Sequence, residues 1–87
     1  MTFDSSRPYR LDPKVAVRSE TFGALAYHYG NRRLTFLRSR LLAEVVADLG
    51  SFHSVEAALQ ARVPVERHGS YRTALAQLAD AEMIHAF

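Results

Sequence analysis

The run LAYHYGNRRLTFL, Leu25 to Leu37, limits what this chain can fold into more than any other stretch. Apolar residues alternate on both sides of Gly30-Asn31, and period-two alternation around such a pair is the signature of a β-hairpin. A two-residue turn at Gly30-Asn31 pairs Tyr29 with Arg32, Tyr27 with Leu34 and Leu25 with Phe36. One face then carries Leu25, Tyr27, Tyr29, Leu34 and Phe36, and the other the smaller, more polar Ala24, Ala26, His28, Arg33, Thr35 and Leu37. Moving the turn to Asn31-Arg32 shifts the pairing by two and leaves both faces intact, because strand side chains repeat every second residue. The aromatic face is the one expected to meet the core.

Upstream, Pro13 precedes Lys14-Val15-Ala16-Val17-Arg18, where Val15 and Val17 share one face of a further strand. Residues Met1 to Tyr9 are polar and include Pro8, the pattern of a mobile arm. From Ser39 the period becomes helical: Leu41, Leu42, Val45, Val46 and Leu49 form one stripe behind an N-cap serine, and Gly50 is placed to end the helix in a left-handed conformation. Ser54 caps a second, shorter helix carrying Val55, Ala58 and Leu59 inward and stopping before Val63-Pro64. A third runs from Glu66 or Ser70 to Glu82, with Tyr71, Leu75 and Leu78 on its stripe, and Met83 and Ile84 fold back as a closing contact. The whole, residues 1–87, reads as one α+β domain in which a three-stranded antiparallel sheet is followed by three helices that must cover it.

Composition removes several function classes. With 87 residues, 48% of them hydrophobic, there is material for one core, burying roughly 60–65% of the unfolded surface. The absence of cysteine excludes disulfides and thiolate metal sites. No apolar run reaches bilayer length and MTFDSSRPYR lacks a signal-peptide core, so a cytosolic protein away from membranes is expected. His28, His53, His68 and His85 show no metal-ligand spacing, and neither a nucleophile elbow nor a phosphate-cradling glycine loop is present. Neither catalysis nor a cofactor is expected. Charge is uneven: residues 1–40 hold eight basic against three acidic side chains (+5), and residues 41–87 hold three against six (−3). Ten of the eleven basic residues are arginine, suited to carboxylates and phosphates.

Two binding readings follow. Three helices beside a small sheet are compatible with a winged-helix DNA-binding protein, but the third helix offers only Arg67, His68 and Arg72, set against Glu66, Asp80 and Glu82. Nucleic acid is therefore not the expected partner. In a meander, by contrast, the last strand leaves a row of main-chain groups open, and such a row is either guarded or used. A peptide can add there as a strand. Each ordered peptide residue costs about 1–2 kcal/mol while each hydrogen bond returns about 0.5–1.5, so an apolar groove is needed as well. Tyr71, Leu75 and Ala79 on the third helix can line one, with Arg32, Arg33 and Arg72 pairing with acidic peptide side chains.

The segment RPYRLDPKVAVRSETFGALAYHYGNRRLTFLRS, Arg7 to Ser39, resembles the peptide chaperones of mycofactocin systems, within the PqqD-like family of RiPP recognition elements. The run ADLGSFHSVEAALQA resembles that family's turn followed by a short amphipathic helix, although Asp48-Leu49-Gly50 stands where an adjacent Asp-Gly pair is usual. The resemblance implies a winged-helix-like domain that binds the leader of a ribosomally made precursor peptide and presents it to a radical S-adenosylmethionine maturase. It also implies where: the leader pairs beside the third strand, here Arg32, Arg33, Leu34, Thr35, Phe36 and Leu37, facing Tyr71, Arg72, Leu75 and Ala79.

Overall fold

The alternating region folds as the hairpin pattern requires. In the computed structural model, which describes residues 3–87, strands β2 (Val15–Glu20), β3 (Gly23–His28) and β4 (Leu34–Leu37) form an antiparallel meander. Leu25 pairs with Phe36 and Tyr27 with Leu34, the register expected from the sequence. The turn is wider than two residues. His28 N–H donates to the Arg33 carbonyl at 2.9 Å and Arg32 N–H to the His28 carbonyl at 2.8 Å, so Tyr29 to Arg32 all lie in the loop and the Tyr29–Arg32 pair is not made. The reason is local: His28 Nδ1 accepts the N–H groups of Gly30 (2.9 Å) and Asn31 (3.1 Å), and Arg32 takes the left-handed position, φ 62°. Between β2 and β3, Gly23 sits at φ +148°, where a Cβ would run into the Leu37 carbonyl oxygen. Only glycine lets the start of β3 lie this close to the end of β4.

Helices α1 (Arg40–Asp48), α2 (Val55–Arg62) and α3 (His68–Asp80) follow. Ser39 Oγ accepts from Leu42 N–H and Ser54 Oγ from Ala57 N–H, each at 3.0 Å, so both serine caps form as the sequence predicts. Two helix ends differ. Gly50 is not a left-handed stop; α1 tightens into a 3₁₀ turn, Leu49–Ser51, that buries Leu49. Helix α3 ends at Asp80 rather than Glu82, which instead takes φ 61° while Met83 N–H reaches Leu78 C=O (2.9 Å) and Glu82 N–H reaches Ala79 C=O (3.0 Å). This is the paired bonding of a Schellman C-cap, with Glu82 where glycine is usual.

Two further strands, unforeseen in the sequence, close the molecule. β1 (Tyr9–Leu11) pairs with β5 (Ile84–Ala86) as a separate two-stranded sheet, so the architecture of the described residues is α+β with five strands in two antiparallel sheets. The expected mobile arm is thereby corrected. Met1 and Thr2 lie outside the described residues, but Tyr9 is buried, and the carbonyls of Arg7 and Ser5 accept the N–H groups of Val55 (3.1 Å) and Glu56 (3.0 Å). Those are orphan donors in the first turn of α2, and satisfying them ties the arm down.

The sheet is inverted relative to expectation. Ala24, Ala26, His28 and Leu37 face the core, whereas Leu34 and Phe36 are 55% and 63% exposed. Helix α1 lies against β3, and the small side chains of Ala24 and Ala26 permit that approach. The volume between the layers is filled from elsewhere, by Val45, Val46, Leu49, Leu59, Leu75, Leu78 and Met83. A face of aromatics would hold the helix off.

Candidate functional site

The direction of each main-chain group on β4 follows from one hydrogen bond. Because His28 N–H donates to Arg33 C=O, the pairs 28–33, 26–35 and 24–37 are the hydrogen-bonded ones of the antiparallel ladder. Thr35 and Leu37 therefore turn their N–H and C=O groups toward β3, and Leu34 and Phe36 turn theirs outward. The sheet order β2-β3-β4 ends at that row, and among the described residues no strand pairs with it.

Beside this row lies a cleft of about 380 Å³ between the end of β4 and helix α3. Phe36 forms its lip, Leu42, Tyr71 and Ala74 its apolar lining, and Arg38 and Arg67 stand at its sides. Tyr71 is held in place by a 3.0 Å hydrogen bond between its hydroxyl and Ser39 Oγ, the same atom that caps α1. The cap and the cleft wall are thus one assembly. The lining includes two arginines and no carboxylate, which favours an extended segment bearing an acidic side chain.

Of the residues anticipated on the sequence, Leu34 and Phe36 bring their main chain to this edge and Tyr71 lines the cleft. The others stand elsewhere. Thr35 and Leu37 are turned to β3, and Leu37 is in the core. Arg32 is in the turn, and Arg33 reaches the Asp80 carbonyl at 3.5 Å at the C-terminal end of α3. Ala79 borders a different hollow, together with Arg33 and Asp80, and Leu75 is completely buried. Arg72 points at α2, where its guanidinium grips Glu56 through both oxygens at 2.6 and 2.7 Å. That fork, aided by a Ser5 hydrogen bond, holds the Glu56 carboxyl down to about 2, and Glu56 in turn raises Arg72.

Sequence reasoning missed Arg67, Ser70, Ala74 and Gln77, which face the cleft at spacings of three and four. The signal was present: they form the stripe beside Tyr71, Leu75 and Leu78, and a groove borders a helix's buried stripe rather than coinciding with it. Helix α3 also lacks the dress of a DNA reader. His68 is buried with Nε2 on the Val63 carbonyl (2.8 Å) and Arg72 is clamped, so of its three basic candidates Arg67 stands exposed at the helix N-terminus.

The remaining ionisable cluster is structural. Asp12 accepts from Lys14 N–H at 2.7 Å and lies 2.7 Å from His85 Nε2 and 3.6 Å from His28 Nε2, joining the two sheets. The Lys14 N–H, assisted by His85, holds its carboxyl below the ordinary range. Among the described residues no group of three or more side chains is arranged to hold a metal ion, and no helix is long and apolar enough to cross a membrane.

Comparison with known proteins agrees with these observations. The model of the peptide chaperone MftB family matches residues 8–85. Proteins named peptide chaperone MftB are similar in Mycobacterium ulcerans (43% identity over 83 residues, 94% of this chain and 76% of the relative) and Mycobacterium tuberculosis (42% over 83 residues, with the same shares). The one from Mycolicibacterium smegmatis is 41% identical over 85 residues, 97% of this chain and 83% of its own. No solved structure matches.

Proposed function

This chain belongs to the peptide chaperone MftB family, and on that premise we propose that it is a non-catalytic carrier of a peptide. It binds the leader of a ribosomally made precursor by strand addition along β4 and presents it, in the cytosol, to a radical S-adenosylmethionine maturase in mycofactocin biosynthesis. Three helices beside a small sheet serve here as a winged-helix-like peptide holder. The observation that carries the reading is the outward row of Leu34 and Phe36 main-chain groups running beside the Tyr71 cleft.

The two features need each other. The donors and acceptors of Leu34 and Phe36 return about 0.5–1.5 kcal/mol per hydrogen bond, no more than the ordering of the peptide costs. Two or three apolar side chains buried in the cleft add roughly 1.5–3 kcal/mol each, and three near the top of that range carry the affinity to the micromolar level, about −8 kcal/mol. Arg38 and Arg67, flanking the cleft, select an acidic neighbour and set the register.

The test is a calorimetric titration of a synthetic leader into wild-type protein and into Leu34→Pro and Tyr71→Ala variants. Proline at Leu34 removes an outward donor and spares the ladder with β3, so the variant stays folded and loses at least about tenfold in affinity. Tyr71→Ala opens the cleft and loses a similar factor. Full leader affinity in a folded Leu34→Pro variant would reject strand addition at this edge.

A further inference from the structure

The meander has a second open edge, on β2. Tyr29 N–H donates to the Lys14 carbonyl at 2.8 Å, so the pairs 14–29, 16–27, 18–25 and 20–23 are the hydrogen-bonded ones between β2 and β3. Val15, Val17 and Ser19 therefore turn their main-chain groups away from the sheet. The Val15 N–H is taken by the Asp12 carbonyl at 2.9 Å. Among the described residues no main-chain group bonds the Val15 carbonyl or the N–H and C=O of Val17 and Ser19. Beside this row lies a hollow of about 580 Å³ between β2 and helix α1. Val17 and Ser19 border it on the sheet, Ala43 and Ala47 on the helix, and Arg40 and Glu44 supply one charge of each sign. Val15 and Val17 are only partly buried on that side. A guest at this edge must be an extended strand whose alternate side chains are compact and apolar, and it gains affinity from the hollow as well as from hydrogen bonds.

β2 meets that description itself. Two copies related by a two-fold axis bring β2 antiparallel to β2, and the same patch serves both sides. Open groups match only in the registers that set Val15 against Val17, Val17 against itself, or Val17 against Ser19. Charges on the other face of the strand choose among them, since like charges directly opposite destabilise a pair. The first register sets Lys14 against Arg18, and the last sets Arg18 against Arg18. The middle one sets Arg18 against Ala16 and Glu20 against Lys14. It also lets each Val17 N–H reach the other copy's Val17 carbonyl, and each Ser19 N–H the other copy's Val15 carbonyl. We infer that two copies of this chain join edge to edge through β2, in antiparallel pairing centred on Val17, into one continuous sheet. Val15 and Val17 of each copy then cover the partly exposed valines of the other and enter the hollow under its α1. The charges on this edge thus select a register rather than only block association. β4 lies at the far side of each copy, so the pairing leaves both β4 edges open. That the dimer carries two leaders rests on the function proposed above.

The experiment is sedimentation equilibrium of the full chain from about 1 to 500 µM, with thermal melts of each variant and a separate calorimetric titration of a synthetic leader. Wild type passes from monomer to dimer with a midpoint of about 10–100 µM, as suits a small interface. Val17→Pro removes the central outward donor, spares the ladder with β3 and weakens the dimer at least about tenfold. Ala16 is exposed, so its variants fold. Ala16→Arg sets a cation against Arg18 and weakens the dimer about three- to tenfold, whereas Ala16→Glu sets a carboxylate there and strengthens it by a similar factor. Should Val17→Pro fail to fold, these opposite signs decide. Leader affinity stays within about twofold of wild type in all three variants, because none of these side chains touches the Tyr71 cleft. A leader that fails to bind while the dimer responds as stated ends the groove reading and leaves this one standing. A wild-type chain still monomeric at about 500 µM, a dimer indifferent to Val17→Pro and Ala16→Arg, one strengthened by Ala16→Arg, or one dissolved by Leu34→Pro and not by Val17→Pro overturns it.

Discussion

Phe36 and Leu37 are consecutive residues of β4, yet Leu37 is in the core and Phe36 stands in solvent beside Leu34. The same split divides the whole sheet, with alanines and a histidine inside and tyrosine, phenylalanine and leucine outside. Hydrophobicity alone would reverse it. What decides is how closely α1 approaches β3: Ala24 and Ala26 allow backbone and helix to come together, and the large residues of the layer come from the helices. Helix α3 repeats the contrast, since Arg72 is clamped on Glu56 while Arg67 stands free beside the cleft.

The contrast between neighbours is broken most directly by truncation. Leu37→Ala leaves a cavity under α1 and is expected to cost about 2–5 kcal/mol in urea unfolding, whereas Phe36→Ala is expected to cost under about 1 kcal/mol because little of that ring leaves water on folding. A larger loss at Phe36 than at Leu37 would mean the sheet is the other way round. Next in size, Ala26→Leu overpacks the inward face and costs about 1–3 kcal/mol by the same measurement, while Tyr27→Leu on the outward face is near neutral.

The arginine contrast is a smaller effect with a pH signature. Glu56 is held to about 2 in the folded protein against an ordinary 4.5, so the contribution of its pair with Arg72 is complete above pH 4.5 and is lost as pH falls toward 2. Both side chains are about a third or more exposed, so solvent screening keeps this contribution small. Arg72→Ala should lower the melting temperature at pH 7, flatten the acid limb of the stability curve and leave leader binding unchanged. Arg67→Ala should do the reverse, weakening the leader about threefold to tenfold with little change in melting. The smallest effect is at the α3 cap, where Glu82→Gly relieves a left-handed backbone and is expected to stabilise by about 0.5–1 kcal/mol in the same unfolding assay.

Much of the candidate site was legible before any coordinates. The open β4 strand, its register and Tyr71 on the flanking helix follow from alternation, turn residues and helical spacing, all of which act within a few residues of chain. Helical spacing alone places Leu75, Arg72 and Ala79 near the groove, because they share the helix with Tyr71. A rotation of one stripe puts Leu75 in the core, Arg72 on α2 and Ala79 over Arg33. That rotation depends on what α3 packs against, not on α3.

The amino-acid sequence by itself determined the strands of the β2-β3-β4 meander, the three helices, the two serine caps and the hairpin pairing, because each is settled by side chains and main-chain groups close along the chain. Tertiary structure alone decided which face of the sheet is inside, where the N-terminal arm lies and which of Arg67 and Arg72 is clamped and which lines the cleft. Those outcomes turn on distances between segments far apart in sequence: α1 against β3, the Ser5 and Arg7 carbonyls against α2, and β1 against β5. Alternation names two faces of a strand without ranking them; the fit of a helix against one of them supplies the rank.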